Sequence, residues 1–523
     1  MNEFPWLTTL ALVPLVGSLV VMAVPTVREV LAKQVALAFS LVTLGLTIAM
    51  SLQFEADSDA AFQFAEQHEW IPQFGVSYAL GVDGIALVLV GLAAVLTPIC
   101  ILASWHDVEQ REIGDARRSV KGYFALLLLL ETFMIGVFSA TDVFLFYVLF
   151  EAMLIPMYFI IGSYGGAQRS YAAVKFLLYS LLGGLLMLGA VIGLYVASDG
   201  GPQAFLFENL LVTELGTGTE RLLFMGFFIA FAIKAPLWPV HTWLPDAAAE
   251  APPGGAVLLV GVLDKVGTFG MIRLCLPLFP DASRWAAPVV LTLSVIGILY
   301  GALLAIGQTD IKRLIAYTSI SHFGFIVLGI FAMTTQSQSG ATLYMVNHGF
   351  STAALFLIAG FLVSRRGSRL IADYGGVQRV APMLAGTFLV AGLSSLALPG
   401  LSSFVSEILV LVGTYSRYEV AAVFATAGII LASLYILLMY QRTMTGEPNE
   451  HTAGMRDLNT REAWVVAPLI AVIIALGFFP QPLLEVINPA VGTTMEQVGV
   501  TDPEPAVPAA EGAAEGAAEG DGR

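Results

Sequence analysis

Apolar stretches of about 20 residues follow one another along nearly the whole chain, and short polar loops separate them. A helix of that length crosses the hydrocarbon core of a bilayer, so each stretch is a candidate transmembrane helix. We therefore predict an all-α, polytopic membrane protein of about fourteen transmembrane helices. The predicted spans cover residues 5–24, 33–53, 81–104, 121–140, 142–162, 171–197, 221–241, 254–276, 287–307, 313–332, 341–363, 382–413, 418–440 and 463–485.

Composition agrees with this pattern. Hydrophobic residues make up 57% of the chain and charged residues 12%, whereas soluble domains are typically about 45–50% apolar and about 25% charged. The formal net charge of −15 comes largely from acidic loops around 55–69 and 199–220 and from the acidic tail. Such charge runs are usually solvated segments, so no basic partner is indicated. We expect contact with lipid and none with nucleic acid.

Lysine and arginine collect in alternate loops, which predicts that these loops face the cytoplasm. They follow the first, third, fifth, ninth, eleventh and thirteenth predicted spans, and the acidic loops fall on the opposite side. With an even number of spans, both termini then lie on the non-cytoplasmic side. The basic residues are Arg28, Lys33, Arg111, Arg117, Arg118, Lys121, Arg169, Lys312, Arg313, Arg365, Arg366, Arg369, Arg442, Arg456 and Arg461.

Several predicted spans carry an ionisable residue near mid-depth, where a charge costs at least about 2.5–3.5 kcal/mol to insert and usually marks a pathway. A single such charge is also compatible with a structural ion pair, and either histidine alone with a hydrogen-bonded interior histidine. A series at similar depth favours a proton relay, because each site must exchange a proton with the next. Glu131 fits either interpretation. The series comprises Glu151, Lys234, Lys265, His322, His348 and Glu407.

Two of the charges lie beside predicted helix breaks. Pro236, Pro239 and Pro245 surround Lys234, and Pro399 precedes Glu407. Proline removes a backbone donor and kinks a helix, and irregular backbone inside a membrane often lines a wet cavity. The two segments lie five spans apart, as two five-helix inverted repeats would require. Ordinary proline kinks are the alternative for either segment alone.

No redox or nucleotide motif occurs in the chain. The two cysteines, Cys100 and Cys275, lie inside apolar runs, and no CxxC pair or Cys/His cluster is present. There is also no glycine-rich phosphate-binding sequence. We therefore expect this chain to bind no cofactor and no metal, and any redox chemistry to occur on partner subunits.

Four segments resemble the antiporter-like membrane subunits of proton-pumping NADH–quinone oxidoreductase, respiratory complex I, and look most like its subunit M (chain 4) group. They are FYVLFEAMLIPMYFIIGSYGG at 146–166, KAPLWPVHTWLPDA at 234–247, DKVGTFGMIR at 264–273 and LPGLSSFVSE at 398–407. The resemblance extends over nearly the whole chain except the tail. It implies a multi-pass protein of the bacterial cell membrane. NADH, FMN, iron–sulfur clusters and quinone would be held by partner subunits, and the sister subunits L and N would be neighbours.

The resemblance also implies a domain organisation with two inverted repeats, each containing a discontinuous helix. The expected parts are N-terminal helices in 1–120, repeats in 121–276 and 287–441, a final helix in 463–485 and a flexible acidic tail in 490–523.

The same resemblance assigns a role to each buried charge. Glu151 would be the modulating carboxylate and Lys234 its partner, whereas Lys265 would connect the two halves. His322 and His348 would lie on a hydrated central axis, and Glu407 would be the terminal proton site.

The implied function is proton translocation driven by quinone reduction elsewhere in a complex. A subunit of a multi-subunit cation/proton antiporter is the alternative, and a structural scaffold would leave the buried charges unexplained. One departure from the family pattern is Asp264, which directly precedes Lys265. Adjacent helical residues point about 100° apart, so the two need not pair, although Asp264 could raise the proton affinity of Lys265.

Overall fold

The computed structural model describes residues 4–58, 60–108, 119–198 and 200–504. Twelve helices in these ranges are long and apolar enough to cross a membrane, which confirms a polytopic, mainly helical fold. The other two predicted spans also have helical counterparts. Span 221–241 contains a helix that is apolar in its middle and carries charged residues near its ends. Span 382–413 contains two shorter apolar helices. Arg111, Arg117 and Arg118 of the orientation argument lie outside the described residues.

A β-hairpin joins the second and third N-terminal helices, where the sequence predicted only a loop. Its turn contains a 3-10 helix, Pro72–Phe74, and Gly75 with φ of 67°, a conformation that favours glycine. The N-terminal elements are α1 (Trp6–Ala23), α2 (Glu29–Ser51), the antiparallel strands β1 (Gln63–Ile71) and β2 (Val76–Val82), and α3 (Gly84–Ala103).

The hairpin holds the ends of two helices. Glu66 of β1 accepts hydrogen bonds from the backbone N–H groups of Leu7 (2.8 Å) and Thr8 (3.2 Å), at the N-terminus of α1. Asp142 accepts from the N–H of Ser77 in β2 and also caps the following helix. Glu66, one of the carboxylates that indicated a solvated loop, therefore satisfies otherwise unpaired backbone donors of α1.

The next part of the chain contains the first predicted break, which is confirmed. A helix ends at Lys234, residues 235–243 are not helical, and a new helix begins at Leu244. The helices are α4 (Val120–Ser139), α5 (Val143–Ala152), α6 (Leu154–Tyr164), α7 (Arg169–Ala197), α8 (Phe207–Leu211), α9 (Thr217–Lys234), α10 (Leu244–Glu250), α11 (Pro253–Leu258), α12 (Lys265–Gly270) and α13 (Leu276–Leu278), with π-helical turns at Leu259–Leu263 and Met271–Cys275.

The second predicted break is also confirmed, between Ser395 and Ser402. Here the helices are α14 (Pro280–Ile306), α15 (Ile311–Phe331), α16 (Thr335–Arg366), α17 (Val377–Val380), α18 (Pro382–Ser395), α19 (Ser402–Tyr415) and α20 (Glu419–Met444), with a 3-10 turn at Ile371–Asp373. The division into repeats 121–276 and 287–441 stays a prediction.

The C-terminal part differs from the prediction of a tail from residue 490. After α21 (Thr460–Phe478), a further helix, α22 (Gln481–Val498), continues past that point. Its buried residues Ile487, Val491, Met495 and Val498 recur every three or four positions, so they form one apolar face that packs against the protein. Residues 505–523 lie outside the described residues.

The helices that carry the predicted central charges are the most enclosed. In the most apolar part of Pro253–Leu278 every residue is buried. The buried share of residues in the corresponding part is 94% for both Ile311–Phe331 and Thr335–Arg366, but only 33% for Trp6–Ala23. A helix that is apolar on all sides belongs in the interior of a bundle. These helices therefore form a central core whose charged residues face protein rather than lipid.

Candidate functional site

Lys265 lies at the centre of the site, at the start of α12, with none of its surface exposed. The π-helical turn before it widens the helix, as its Asp264 N–H to Leu259 O bond shows. The Lys265 ammonium donates to the carbonyl of Val260 at 2.5 Å and lies 2.7 Å from Nδ1 of His348. It also lies 5.1 Å from the centre of the Phe323 ring. The lysine is thus held by one carbonyl, one imidazole and one aromatic face.

The imidazole of His348 lies between Lys265 and the imidazole of His322. When Lys265 donates to Nδ1 of His348, that nitrogen is the acceptor, so the proton of neutral His348 is on Nε2. Among the described residues, Nε2 of His348 has no hydrogen-bond partner. The centre of the His348 ring lies 5.3 Å from that of His322. The two imidazoles are therefore neighbours without a direct hydrogen bond.

His322 connects this pair to Glu407 through a tyrosine that the sequence did not single out. The hydroxyl of Tyr344 donates to Oε2 of Glu407 at 2.9 Å and lies 2.7 Å from Nδ1 of His322. Because that hydroxyl proton is used on Glu407, Nδ1 of His322 is the donor to the Tyr344 oxygen. Nε2 of His322 then accepts from Ser395, 3.2 Å away. A single arrangement of protons satisfies every one of these contacts.

The result is a buried series of polar side chains on four helices, α12, α15, α16 and α19. It runs from Lys265 to His348, His322, Tyr344 and Glu407, and each member is at most 3% exposed. The hydrophobic periodicity alone could not identify Tyr344 as a site residue, because an aromatic residue in an apolar helix is ordinarily interpreted as part of the hydrophobic core. Its position four residues before His348 on α16, and hence on the same face, was the available signal.

Polar groups also satisfy the broken helix beside Glu407. Asn347 donates to the backbone carbonyl of Ser402 at 2.7 Å, at the point where α19 begins. Ser351 bonds to Ser394 at 2.8 Å and to Ser403 at 3.2 Å, so hydroxyls bridge the break. Irregular backbone inside a membrane protein is tolerated where such partners are present.

The first pair of predicted charges is arranged differently. Lys234 ends α9, is 1% exposed, and has an ammonium 4.7 Å from the ring centre of Phe150 and 5.9 Å from that of Phe176. Within the described part of the chain, this ammonium has no hydrogen-bond partner. Glu151 interacts with it electrostatically, although no ion pair joins the two groups there. The charges are near each other but separate.

Glu151 sits against a glycine of α7. A Cβ atom placed on Gly184 would lie 1.7 Å from Oε1 of Glu151, so only a glycine leaves room for the carboxylate there. Across the adjacent break, the indole N–H of Trp243 donates to the carbonyl of Ile233 at 2.9 Å. This bond ties the segment after Lys234 back to the helix that carries it.

An ion-pair network surrounds the end of α10. Asp246 contacts both Lys175 (2.7 Å) and Arg313 (2.5 Å). Arg369 contacts Glu250 at 2.9 Å and Asp310 at 3.1 Å. The sequence did not indicate these pairs, because their members are distant along the chain. They fix α10, the short helix after the break, to α7, to α15 and to the segment after α16.

The described residues contain no group of three or more His, Cys, Asp or Glu residues that could hold a metal ion. Cys100 and Cys275 are both buried and unpaired with each other. The donor set of the site is one of amines, imidazoles, hydroxyls and carboxylates, which is suited to proton exchange.

Comparisons with known proteins agree on the class. A family model described as NADH:quinone oxidoreductase/Mrp antiporter, TM, matches residues 140–432. The fold is similar to a chain of respiratory complex I from Thermus thermophilus with bound NADH, with a TM-score of 0.85, 32% identity, and coverage of 94% of this chain and 100% of that one. A chain of the Mrp complex from Dietzia shares the fold at 23% identity, with a TM-score of 0.84 and coverage of 95% and 100%. Fold and site thus define an antiporter-like membrane subunit.

Sequence relatives narrow the class to one family. The NADH-quinone oxidoreductase subunit M of Mycobacterium tuberculosis is 53% identical, over 97% of both chains. The NADH-ubiquinone oxidoreductase chain 4 of Marchantia polymorpha is 38% identical, over 94% of this chain and 97% of its own length. The chain belongs to the bacterial subunit M family of NADH-quinone oxidoreductase, respiratory complex I.

Proposed function

We propose that this chain translocates protons as a membrane subunit of NADH–quinone oxidoreductase, coupling quinone reduction elsewhere in the complex to proton movement along its buried charges. The observation that carries the proposal is the series of buried polar neighbours from Lys265 to Glu407, which are hydrogen-bonded except between His348 and His322, whose ring centres lie 5.3 Å apart. Buried ionisable residues are costly to insert into a membrane, so a series of them usually marks a functional pathway.

We propose one sequence of proton transfers in the second half, along these contacts. The Lys265 ammonium gives a proton to Nδ1 of His348, and His348 releases its Nε2 proton toward His322. His322 passes its Nδ1 proton to the Tyr344 oxygen as Tyr344 gives its own proton to Glu407. Lys265 loses one proton, His348, His322 and Tyr344 each gain one and lose one, and Glu407 gains one. Glu407 is then the terminal site of the path.

The first half works by approach and separation of charges. When Glu151 moves toward Lys234, the carboxylate stabilises the ammonium; when it withdraws, the aromatic rings around Lys234 cannot replace it fully, and the proton is released. Lys265 receives that proton and connects the halves. Movement of the segment at 235–243 is the conformational change that brings this about.

The redox chemistry is assigned to partner subunits in this proposal. We infer that NADH, FMN, iron–sulfur clusters and quinone act on other subunits, because the buried donor set here is suited to protons and not to redox groups. Sister subunits L and N are the proposed neighbours in the membrane, and lipid covers the exposed apolar faces, such as that of α7 with Leu178, Leu182 and Leu185.

The proposed orientation puts both termini outside the cytoplasm of a bacterial cell membrane. Contacts of two basic loops with the segment after the seventh predicted span support the side on which these loops are grouped, because all three follow odd-numbered spans. Arg369, after the eleventh predicted span, bonds to Ala249 and Glu250, and Lys312, after the ninth, bonds to Ala249 and Ala251.

The test uses the intact complex in inverted membrane vesicles. Glu407→Gln keeps the shape of the side chain but cannot accept a proton as a carboxylate does, so NADH-driven proton uptake should fall at least about tenfold. Glu419→Gln, an exposed carboxylate at the start of α20, is the matched control and should leave uptake unchanged. Full uptake in an assembled Glu407→Gln complex would contradict the proposal.

The same vesicles address the antiporter alternative. A cation/proton antiporter would exchange protons for sodium without NADH, whereas a complex I subunit moves protons only while NADH is oxidised. Sodium-dependent proton flux that persists without NADH and is lost in Glu407→Gln would favour the antiporter.

A further inference from the structure

Asp264 is a buried carboxylate that the proton path described above does not use. It lies between the π-helical turn Leu259–Leu263 and α12, with none of its surface exposed. In the part of the chain that the structure describes, neither carboxylate oxygen has a hydrogen-bond partner. An ionised carboxylate without partners is strongly disfavoured in such surroundings, so it must either hold a proton or be stabilised by nearby positive charge.

The packing of α12 against α9 fixes the direction in which Asp264 lies. A Cβ atom on Gly267 would be 2.6 Å from the carbonyl of Phe231 and 2.7 Å from the N–H nitrogen of Ala235. Residues three apart share a helix face, so Asp264 and Gly267 lie on the same side of α12. That side faces the end of α9, where Lys234 immediately precedes Ala235.

Lys265 points to the other side. Its ammonium is bound to His348 of α16 and to the carbonyl of Val260. Adjacent residues of a helix are about 100° apart, which separates the two side chains. Asp264 nevertheless interacts electrostatically with both Lys265 and Lys234. It therefore stands between the end of the first half of the charge series and the start of the second.

We infer that Asp264 carries protons between Lys234 and Lys265. This rests on the proposed function, because it supplies the link that the two halves lack. The Lys234 ammonium gives a proton to the Asp264 carboxylate, so that an N–H bond breaks and an O–H bond forms. Neutral Asp264 then gives that proton to the neutral amine of Lys265. In the described residues neither the Asp264 carboxylate nor the Lys234 ammonium has a hydrogen-bond partner, so each transfer requires a bridging water molecule.

The chain offers a closely matched control in Glu131. This residue of α4 is also fully buried, and neither of its oxygens has a partner among the described residues. Unlike Asp264, it interacts appreciably with no charged side chain in the ranges that the structure describes. Replacing either carboxylate by its amide therefore perturbs the core in a similar way, but only Asp264 stands between two lysines.

The experiment compares Asp264→Asn with Glu131→Gln in the whole complex, in inverted vesicles with assembly checked by native electrophoresis. We expect protons pumped per NADH oxidised to fall at least about fivefold in Asp264→Asn, to recover at least about half in Asp264→Glu, and to stay unchanged in Glu131→Gln. Equal pumping by Asp264→Asn and Glu131→Gln would overturn the inference. If the Asn variant does not assemble, Asp264→Leu, which removes the buried polar group, is judged by the same comparison.

An infrared difference spectrum separates proton carrying from a structural role. Addition of NADH should change a protonated-carboxyl C=O band that is absent in Asp264→Asn and present in Glu131→Gln; no such band difference would overturn the inference. Lys265→Met tests the proposed function separately. If it pumps normally, the proposed function fails; if it loses pumping while Asp264→Asn keeps it, only this inference fails.

Discussion

The two halves of the buried charge series hold their side chains in opposite ways. In the second half, Lys265 bonds to His348, Tyr344 bonds to Glu407, and His322 has a partner on each ring nitrogen, so only the contact between His348 and His322 lacks a hydrogen bond in the described residues. In the first half, the Lys234 ammonium faces aromatic rings, and Oε1 of Glu151 has no hydrogen-bond partner among the described residues. The same kinds of charged group are thus bonded in one half and separate in the other.

This difference indicates where the proton path is controlled. Along a bonded series a proton moves by small reorientations, because donors and acceptors are already within reach. A lysine without a hydrogen-bond partner is sensitive to any movement of the nearest carboxylate, since the attraction between the two charges weakens with distance. We infer that the second half conducts and that the first half gates.

The largest effect is expected when the ammonium of the first half is removed, which tests whether this half gates proton movement. Lys234→Met retains the apolar stem but binds no proton, and in the described residues the ammonium that it removes has no hydrogen-bond partner. We expect NADH-driven proton uptake to fall more than about tenfold in the intact complex. Lys121→Met, at the start of α4, is the matched control and should pump normally. An assembled Lys234→Met complex with full uptake would refute gating by this residue.

Cutting one bond of the second half should have a smaller effect. Tyr344→Phe removes the hydroxyl between His322 and Glu407, and a hydrogen bond is typically worth about 0.5–1.5 kcal/mol, or roughly three- to tenfold in uptake. Water can partly replace the lost hydroxyl. Uptake and NADH oxidation should be measured together.

Tyr435→Phe provides the control for that experiment. Tyr435 is a buried tyrosine of α20, and its hydroxyl has no partner in the described part of the chain. If both variants lose uptake equally, general packing near Glu407 matters more than the bonded series.

Much of this site could be predicted from the sequence. A charge inside an apolar stretch stands out, and Lys234 and Glu407 lie beside prolines at helix breaks that the structure confirms. The cut between the fourth and fifth spans was also correct, because α4 ends at Ser139 and α5 begins at Val143. These features are local, so a single sequence contains them.

Other features depend on residues far apart along the chain. From the sequence Tyr344 is interpreted as a core residue, because only the folded structure places its hydroxyl between His322 and Glu407. Asp246 shows no partner until α7 and α15 bring Lys175 and Arg313 to it. The hairpin was missed because polar residues of β1 hid the strand pattern.

A change of packing beside Glu151 tests whether the position of this carboxylate matters, without removing a charge. Gly184→Ala places a methyl group where Oε1 of Glu151 lies, so the carboxylate must shift. We expect uptake to fall by about two- to fivefold, since overpacking costs typically 1–3 kcal/mol but this side chain can relocate. Gly189→Ala, on the same helix with open space around it, is the control and should have no effect. Equal uptake in the two variants would show that the position of Glu151 is not critical.

The smallest effect is expected at Ser395. Its hydroxyl bonds to Nε2 of His322 at 3.2 Å, at the end of α18, and lies beside the path and not within it. Ser395→Ala should therefore reduce uptake less than about twofold, because Nε2 can accept from water while Nδ1 stays bound to Tyr344. Ser394→Ala, which removes contacts to Ser351 and Ser402 at the same break, measures the cost of disturbing the break alone. A loss of about tenfold in Ser395→Ala but not in Ser394→Ala would mean that protons pass from His322 to the break at α18, and the path to Glu407 would then have to be abandoned.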